Sequence, residues 1–99
     1  MPTATQYEKV FTGASATAAS TVYNFPGGIG QFMAEGTWDS ATCKMQMSPD
    51  EGTSWFDVGS DVTLTADGLA NFELGACDIR ASLTVTGTTS LDCWMTVRH

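Results

Sequence analysis

Between residues 42 and 48 the chain alternates without a break. Cys43, Met45 and Met47 are apolar, and Thr42, Lys44, Gln46 and Ser48 around them are polar. A two-residue period puts successive side chains on opposite sides of an extended backbone, so this segment is a β-strand with one buried face. It runs into Ser48-Pro49-Asp50-Glu51-Gly52. There proline presets the first turn dihedral, Asp50 can bond its own backbone, and Gly52 accepts positive φ. Trp55, Phe56 and Val58 resume an extended pattern. Residues 41–58 therefore read as a β-hairpin with a short bulged loop.

The same grammar recurs along the chain. Residues 7–11 form a short first strand, with Tyr7, Lys9 and Phe11 on one side and Glu8 and Val10 on the other. The Ala/Ser/Thr-rich stretch 12–20 reads as extended or flexible, ordered against a neighbour. Residues 21–25 form a strand that Pro26-Gly27-Gly28 ends. In the run 29–38, Phe32, Ala34, Gly36 and Trp38 share one parity and Met33, Glu35 and Thr37 the other, with Gly36 marking a bulge or close crossing. Asp67-Gly68 is a tight-turn signal between Val62/Leu64 and Phe72/Leu74. Ile79, Ala81, Leu83 and Val85 then face inward, as do Leu91, Cys93, Met95 and Val97 in the last strand, with Asp92, Trp94, Thr96 and Arg98 outward.

About seven to nine short strands, with turn signals every ~8–12 residues, predict an all-β fold. The expected architecture is an antiparallel β-sandwich, jelly-roll or immunoglobulin-like. Residues 1–20 read as an N-terminal arm or extended segment, and 21–99 as one sandwich domain. The 99 residues fit a single domain that buries roughly 60–65% of its unfolded surface.

Four basic residues against eleven acidic ones leave a net charge of −7. That balance excludes a basic nucleic-acid footprint and opposes anionic membrane surfaces. No apolar run approaches ~20 residues, and the N-terminus lacks a signal-peptide pattern. Asp50, Glu51, Asp57, Asp61 and Asp67 fall on expected turns, but their spacing matches no calcium loop. The three cysteines, Cys43, Cys77 and Cys93, lack metal-ligand spacing. Cys43 and Cys93 sit at apolar positions, so buried thiols are the default reading and a Cys43–Cys93 bridge the alternative. Free thiols point to folding in a reducing compartment.

Catalytic chemistry finds little support. The one histidine, His99, is terminal, which disfavours a triad or a histidine-based zinc site. No serine lies in a nucleophile elbow, and Gly27-Gly28-Ile29-Gly30 lacks the phosphate-binding fingerprint. The carboxylate pairs Asp57/Asp61 and Glu35/Asp39 belong to a chain too short to build a deep sugar cleft around them. No catalytic, cofactor-binding or metal-binding residue is expected. Trp38 and Trp55 have core parity, whereas Trp94 points away from its own core, which suits a subunit contact or a sugar-stacking platform.

The run from Met47 to Val58 resembles a segment of small bacteriophage virion proteins, which pass from a strand through an S-P-D-x-G-T-x-W turn. Those proteins continue through a threonine-rich strand, a phenylalanine-containing strand and an I-R-A strand. Their counterparts here are Val62-Thr63-Leu64-Thr65, Asn71-Phe72-Glu73-Leu74 and Ile79-Arg80-Ala81. Glu51 stands where glycine or asparagine is expected. The resemblance implies a non-enzymatic capsid decoration or cement protein, folded in the host cytoplasm and carried on the virion. It implies contacts with the major capsid protein or other virion proteins and a homo-oligomer, a trimer first. Tyr7 and Phe11 would belong to a docking arm over residues 7–20, and Trp94, Arg80 and Arg98 to a subunit contact. The alternative is a tail- or fibre-associated or carbohydrate-binding module, with an enzyme third.

Overall fold

Alternation becomes two facing sheets in the computed structural model, which describes residues 6–98. The ten strands are β1 (Gln6–Ala14), β2 (Ala18–Ala19), β3 (Tyr23–Phe25), β4 (Gly28–Thr37), β5 (Thr42–Ser48), β6 (Phe56–Asp57), β7 (Thr63–Leu64), β8 (Gly68–Leu74), β9 (Cys77–Thr84) and β10 (Ser90–Arg98). A 3₁₀ turn, Ser60–Val62, separates β6 from β7. The first sheet has the order β1-β10-β4-β8. In the second, β9 and β5 are central; β2 and β3 share the outer side of β9, and β6 and β7 the outer side of β5. All pairs are antiparallel. Counting β2/β3 and β6/β7 each as one broken strand turns ten strands into eight, whose order is that of a jelly roll.

The β2–β3 break has a chemical cause. The Ser20 amide donates to the Ala81 carbonyl at 2.8 Å, but the Ala81 amide finds the Ser20 hydroxyl at 2.9 Å in place of a carbonyl. A side chain thus fills a gap in the ladder. The turn after β5 is built the same way. Ser48 Oγ accepts the amides of Asp50 and Gly52, and Asp50 Oδ1 accepts the Ser54 amide at 2.8 Å. Glu51 takes φ 61° there, the left-handed region that explains why glycine or asparagine is expected.

Between the sheets lie Phe25, Phe32, Met45, Ile79, Leu83, Leu91 and Met95, all fully buried, with the Phe25 and Phe72 rings 5.4 Å apart. Each such side chain contributes ~1.5–3 kcal/mol of transfer free energy. Gly36 marks the expected close crossing: at φ 140° its α-carbon lies against the Ser90 carbonyl, where a side chain has no room. No helix among the described residues is long and apolar enough to cross a membrane.

Three sequence expectations change. Residues 6–14 and 18–19, expected as an arm or extended segment, are strands hydrogen-bonded into the two sheets alongside the rest of the chain; residues 1–5 lie outside the described part. Phe11 is a core residue, 9% exposed, rather than a surface contact. Its parity flips because Lys9 pairs with Trp94 and Phe11 with the next residue, Cys93, leaving Val10 as the extra residue of a β-bulge. Thr96, expected outward, is fully buried. The β10–β4 pairing ends at Met95 and Phe32, and the Gln31 amide donates to Thr96 Oγ1 at 3.0 Å instead. Gly30 makes the room: a β-carbon there would stand 2.9 Å from Thr96 Cβ.

Candidate functional site

The outward faces of the two sheets differ in kind. On the β9–β5 face the polar groups bond one another. Arg80 Nε donates to Gln46 Oε1 at 2.9 Å, Gln46 Nε2 donates to Asp57 Oδ1 at 2.9 Å, and Lys44 Nζ reaches Asp57 Oδ2 at 3.1 Å. The Arg80 guanidinium also stacks 4.1 Å over the Trp55 ring. The Gln46 amide, then Lys44, hold the Asp57 carboxyl below its ordinary value. A carboxylate kept ionised this way is poorly suited to donate a proton. Trp55 is half-buried beneath this network, and Trp38 is half-buried too, its indole N–H donating to Asp67.

The β1-β10-β4-β8 face has no such closure. Register places Lys9, Trp94, Met33 and Leu69 side by side, one from each strand. This transverse row is mostly apolar. Leu69 is 61% exposed, and so is Ile29 further along β4 on the same parity. Tyr7 reaches across β10 to donate its hydroxyl to Gln31 Oε1 at 2.9 Å, which fixes its ring beside Trp94 while leaving it 44% exposed. Lys9 Nζ lies 5.1 Å from the Trp94 ring centroid and 3.6 Å from Asp92 Oδ1. Asp92 Oδ1 also accepts the Gly13 amide at 2.8 Å, tying the far end of β1 to β10.

Tyr7, Met33, Glu35 and Trp94 line a shallow hollow of about 440 Å³. A second, of about 200 Å³, continues past Met33, Glu35 and Trp94 to Leu69 and the Asp67-Gly68 turn. The surface is thus an open apolar shelf with a rim of Glu35, Gln31, Asp92 and Lys9. It suits a broad partner surface or a flat ring laid on an aromatic one, and it does not enclose a small molecule. Among the described residues, no group of three or more His, Cys, Asp or Glu side chains is placed to hold a metal ion.

Of the five contact residues expected from sequence, the structure brings Tyr7 and Trp94 together on this shelf. Arg80 lies on the opposite sheet, stacked on Trp55, so it does not share a surface with Trp94. Phe11 is in the core, and the Arg98 side chain lies outside the described residues. Met33 and Leu69 went unread as site residues. The signal was available: each is apolar at outward parity, Met33 with Glu35 and Leu69 with Asn71 and Glu73.

No protein-family model matches this chain, and no curated protein sequence does. Similar solved structures include a family 29 carbohydrate-binding module, 13% identical over 95% of this chain and 89% of that one, with a TM-score of 0.45. A variant of that module complexed with mannohexaose is 13% identical over 96% and 90% of the two chains, also at 0.45. A chain from infectious bursal disease virus, Gt strain, is 11% identical over 98% of this chain and 28% of its own length, at 0.44. These are likenesses of general architecture, and the jelly-roll assignment rests on the strand order above.

Proposed function

We propose that this chain is a non-catalytic structural protein of a bacteriophage virion, a decoration or cement protein held by protein–protein contacts. The observation that carries this reading is the asymmetry of the two outer faces. The outer face of β9 and β5 is bridged by bonded polar groups, with Phe56 exposed at its β6 edge, whereas the other sheet gathers Tyr7, Trp94, Met33 and Leu69 into an apolar shelf. A shelf of that kind on a chain carrying −7 is a docking surface surrounded by repulsive charge. The S-P-D-x-G-T-x-W resemblance supplies the virion setting. The partners are the major capsid protein or a neighbouring virion protein, and the assembly is a homo-oligomer, a trimer first. Mass spectrometry and immuno-electron microscopy of purified particles test the reading. Its absence from particles made in infected cells sinks it.

A second reading has its own observation. The Tyr7 and Trp94 rings stand beside Glu35 and Gln31, an aromatic shelf flanked by hydrogen-bonding groups. That combination suits a neutral sugar chain stacked on the rings with its hydroxyls on the rim. Titration against neutral oligosaccharides separates the two readings, since a virion contact predicts no heat from any of them.

A further inference from the structure

Cys43 on β5 and Cys93 on β10 belong to opposite sheets. Both are fully buried free thiols, and their sulfurs are 3.8 Å apart across the middle of the sandwich. The two thiols share a hydrogen bond. Holding the Cys93 proton against the Cys43 sulfur, and then burial, push the Cys93 thiol far up, so it is a poor nucleophile toward outside reagents while the fold is closed. The two sulfurs are already neighbours, and forming a bond brings them from 3.8 Å to about 2.05 Å.

We propose that this pair is an oxidation site, closing as a disulfide between the sheets when the chain folds or locally opens in the presence of a small-molecule disulfide. One cysteine loses its proton and attacks the reagent, expelling one small thiol. The second cysteine then attacks the mixed disulfide and expels the other. Two S–H bonds break and one protein S–S bond forms, while the reagent is reduced to two thiols. β5 and β10 exchange no backbone hydrogen bonds, so the new bond ties together sheets otherwise joined by packing and loops. It spans 50 residues, enough by loop entropy to raise the folded-to-unfolded ratio by about a thousandfold. A chain folded reduced would gain this lock on leaving a reducing compartment. Cys77, half-buried on β9, stays outside the pair.

The test uses the full chain with Cys77→Ala, so that only the pair can react. It is refolded from urea in oxidised glutathione or in dithiothreitol, then alkylated under denaturing conditions and weighed intact. The oxidised sample should be ~2 Da lighter, take no alkyl groups, and unfold at higher urea until dithiothreitol reverses the shift. Cys43→Ala in the same background should lose both effects. Two alkylated cysteines, a stable glutathione adduct, a cross-linked dimer, or a urea shift that survives Cys43→Ala each overturns the proposal.

Discussion

The Trp38 indole N–H donates to Asp67 Oδ1 at 2.7 Å, and the same oxygen accepts the Gly36 amide at 2.9 Å. One carboxylate thereby pins the β7–β8 turn to the end of β4. The indole bond first, then the amide, hold the Asp67 carboxyl below its ordinary value of 3.8. A folded-state pKa below the unfolded one stabilises the fold above the unfolded value, and that stability is lost as pH falls through the folded pKa. Urea midpoints should therefore be flat down to about pH 5 and drop below about pH 4. Asp67→Asn should lower the midpoint at neutral pH and flatten part of the acid drop. Asp50 and Asp57 shift in the same direction and keep the remainder. An unchanged acid profile in Asp67→Asn contradicts the assignment.

Glu51 gives a prediction of opposite sign. At φ 61° it carries the steric cost of a left-handed residue, ~1–2 kcal/mol, which glycine escapes at an entropic cost of ~0.5–1 kcal/mol. Glu51→Gly should therefore stabilise the domain by roughly 0.5 kcal/mol and remove one charge from an acidic chain. Chemical denaturation reads this directly. A lower midpoint would mean that the Glu51 side chain is compensated by contacts the turn does not display.

These residues also mark how far the sequence could be read. β5, β9 and β10 were legible because strict alternation and one buried face leave a single solution. The choice between jelly roll and immunoglobulin-like order was not, since it depends on β2/β3 and β6/β7 each sharing one neighbour across a break, a long-range pairing that local pattern does not encode. Parity failed where a ladder is interrupted or a turn begins: the extra residue Val10 turned Phe11 inward, Thr96 turned inward to serve an amide the ladder had left, Ser48 is buried at the turn it braces, and Trp55 lies under Arg80 instead of in the core. Trp94 was legible as an outward residue. The shelf around it was not, because Met33 and Leu69 lie in separate strands, 61 and 25 residues before Trp94, and only the sheet order makes them neighbours.

Gly36 tests that order from the backbone. Its α-carbon packs against the Ser90 carbonyl at φ 140°, where β4 and β10 pair Gly36 with Leu91. Gly36→Ala must open the end of this central pair and adopt a strained φ, at a cost of about 2–3 kcal/mol. Gly75→Ala is the control, because a β-carbon there meets nothing within 4 Å. Thermal melts should separate the two clearly, and equal melting temperatures would mean that β4 and β10 do not cross this closely.

Trp94 decides what the shelf is for. Its ring shares a row with Lys9, Met33 and Leu69 and forms one wall of both hollows, so its removal strips the centre of the surface and leaves the core in place. Trp94→Ala should lose the Lys9 cation–π contact, ~0.5–1 kcal/mol, and remain folded by circular dichroism. If the shelf is the virion contact proposed above, docking onto particles lacking the protein should weaken far more, by about 30-fold or greater for a central anchor of ~2 kcal/mol. Trp55→Ala on the opposite sheet should do the reverse. It removes the ring beneath Arg80 and disturbs a self-contained polar network, which lowers stability, while docking of the folded fraction stays unchanged. Co-sedimentation of both variants with stripped particles measures the contrast, and a Trp94→Ala chain that docks as tightly as the parent places the contact elsewhere on the molecule.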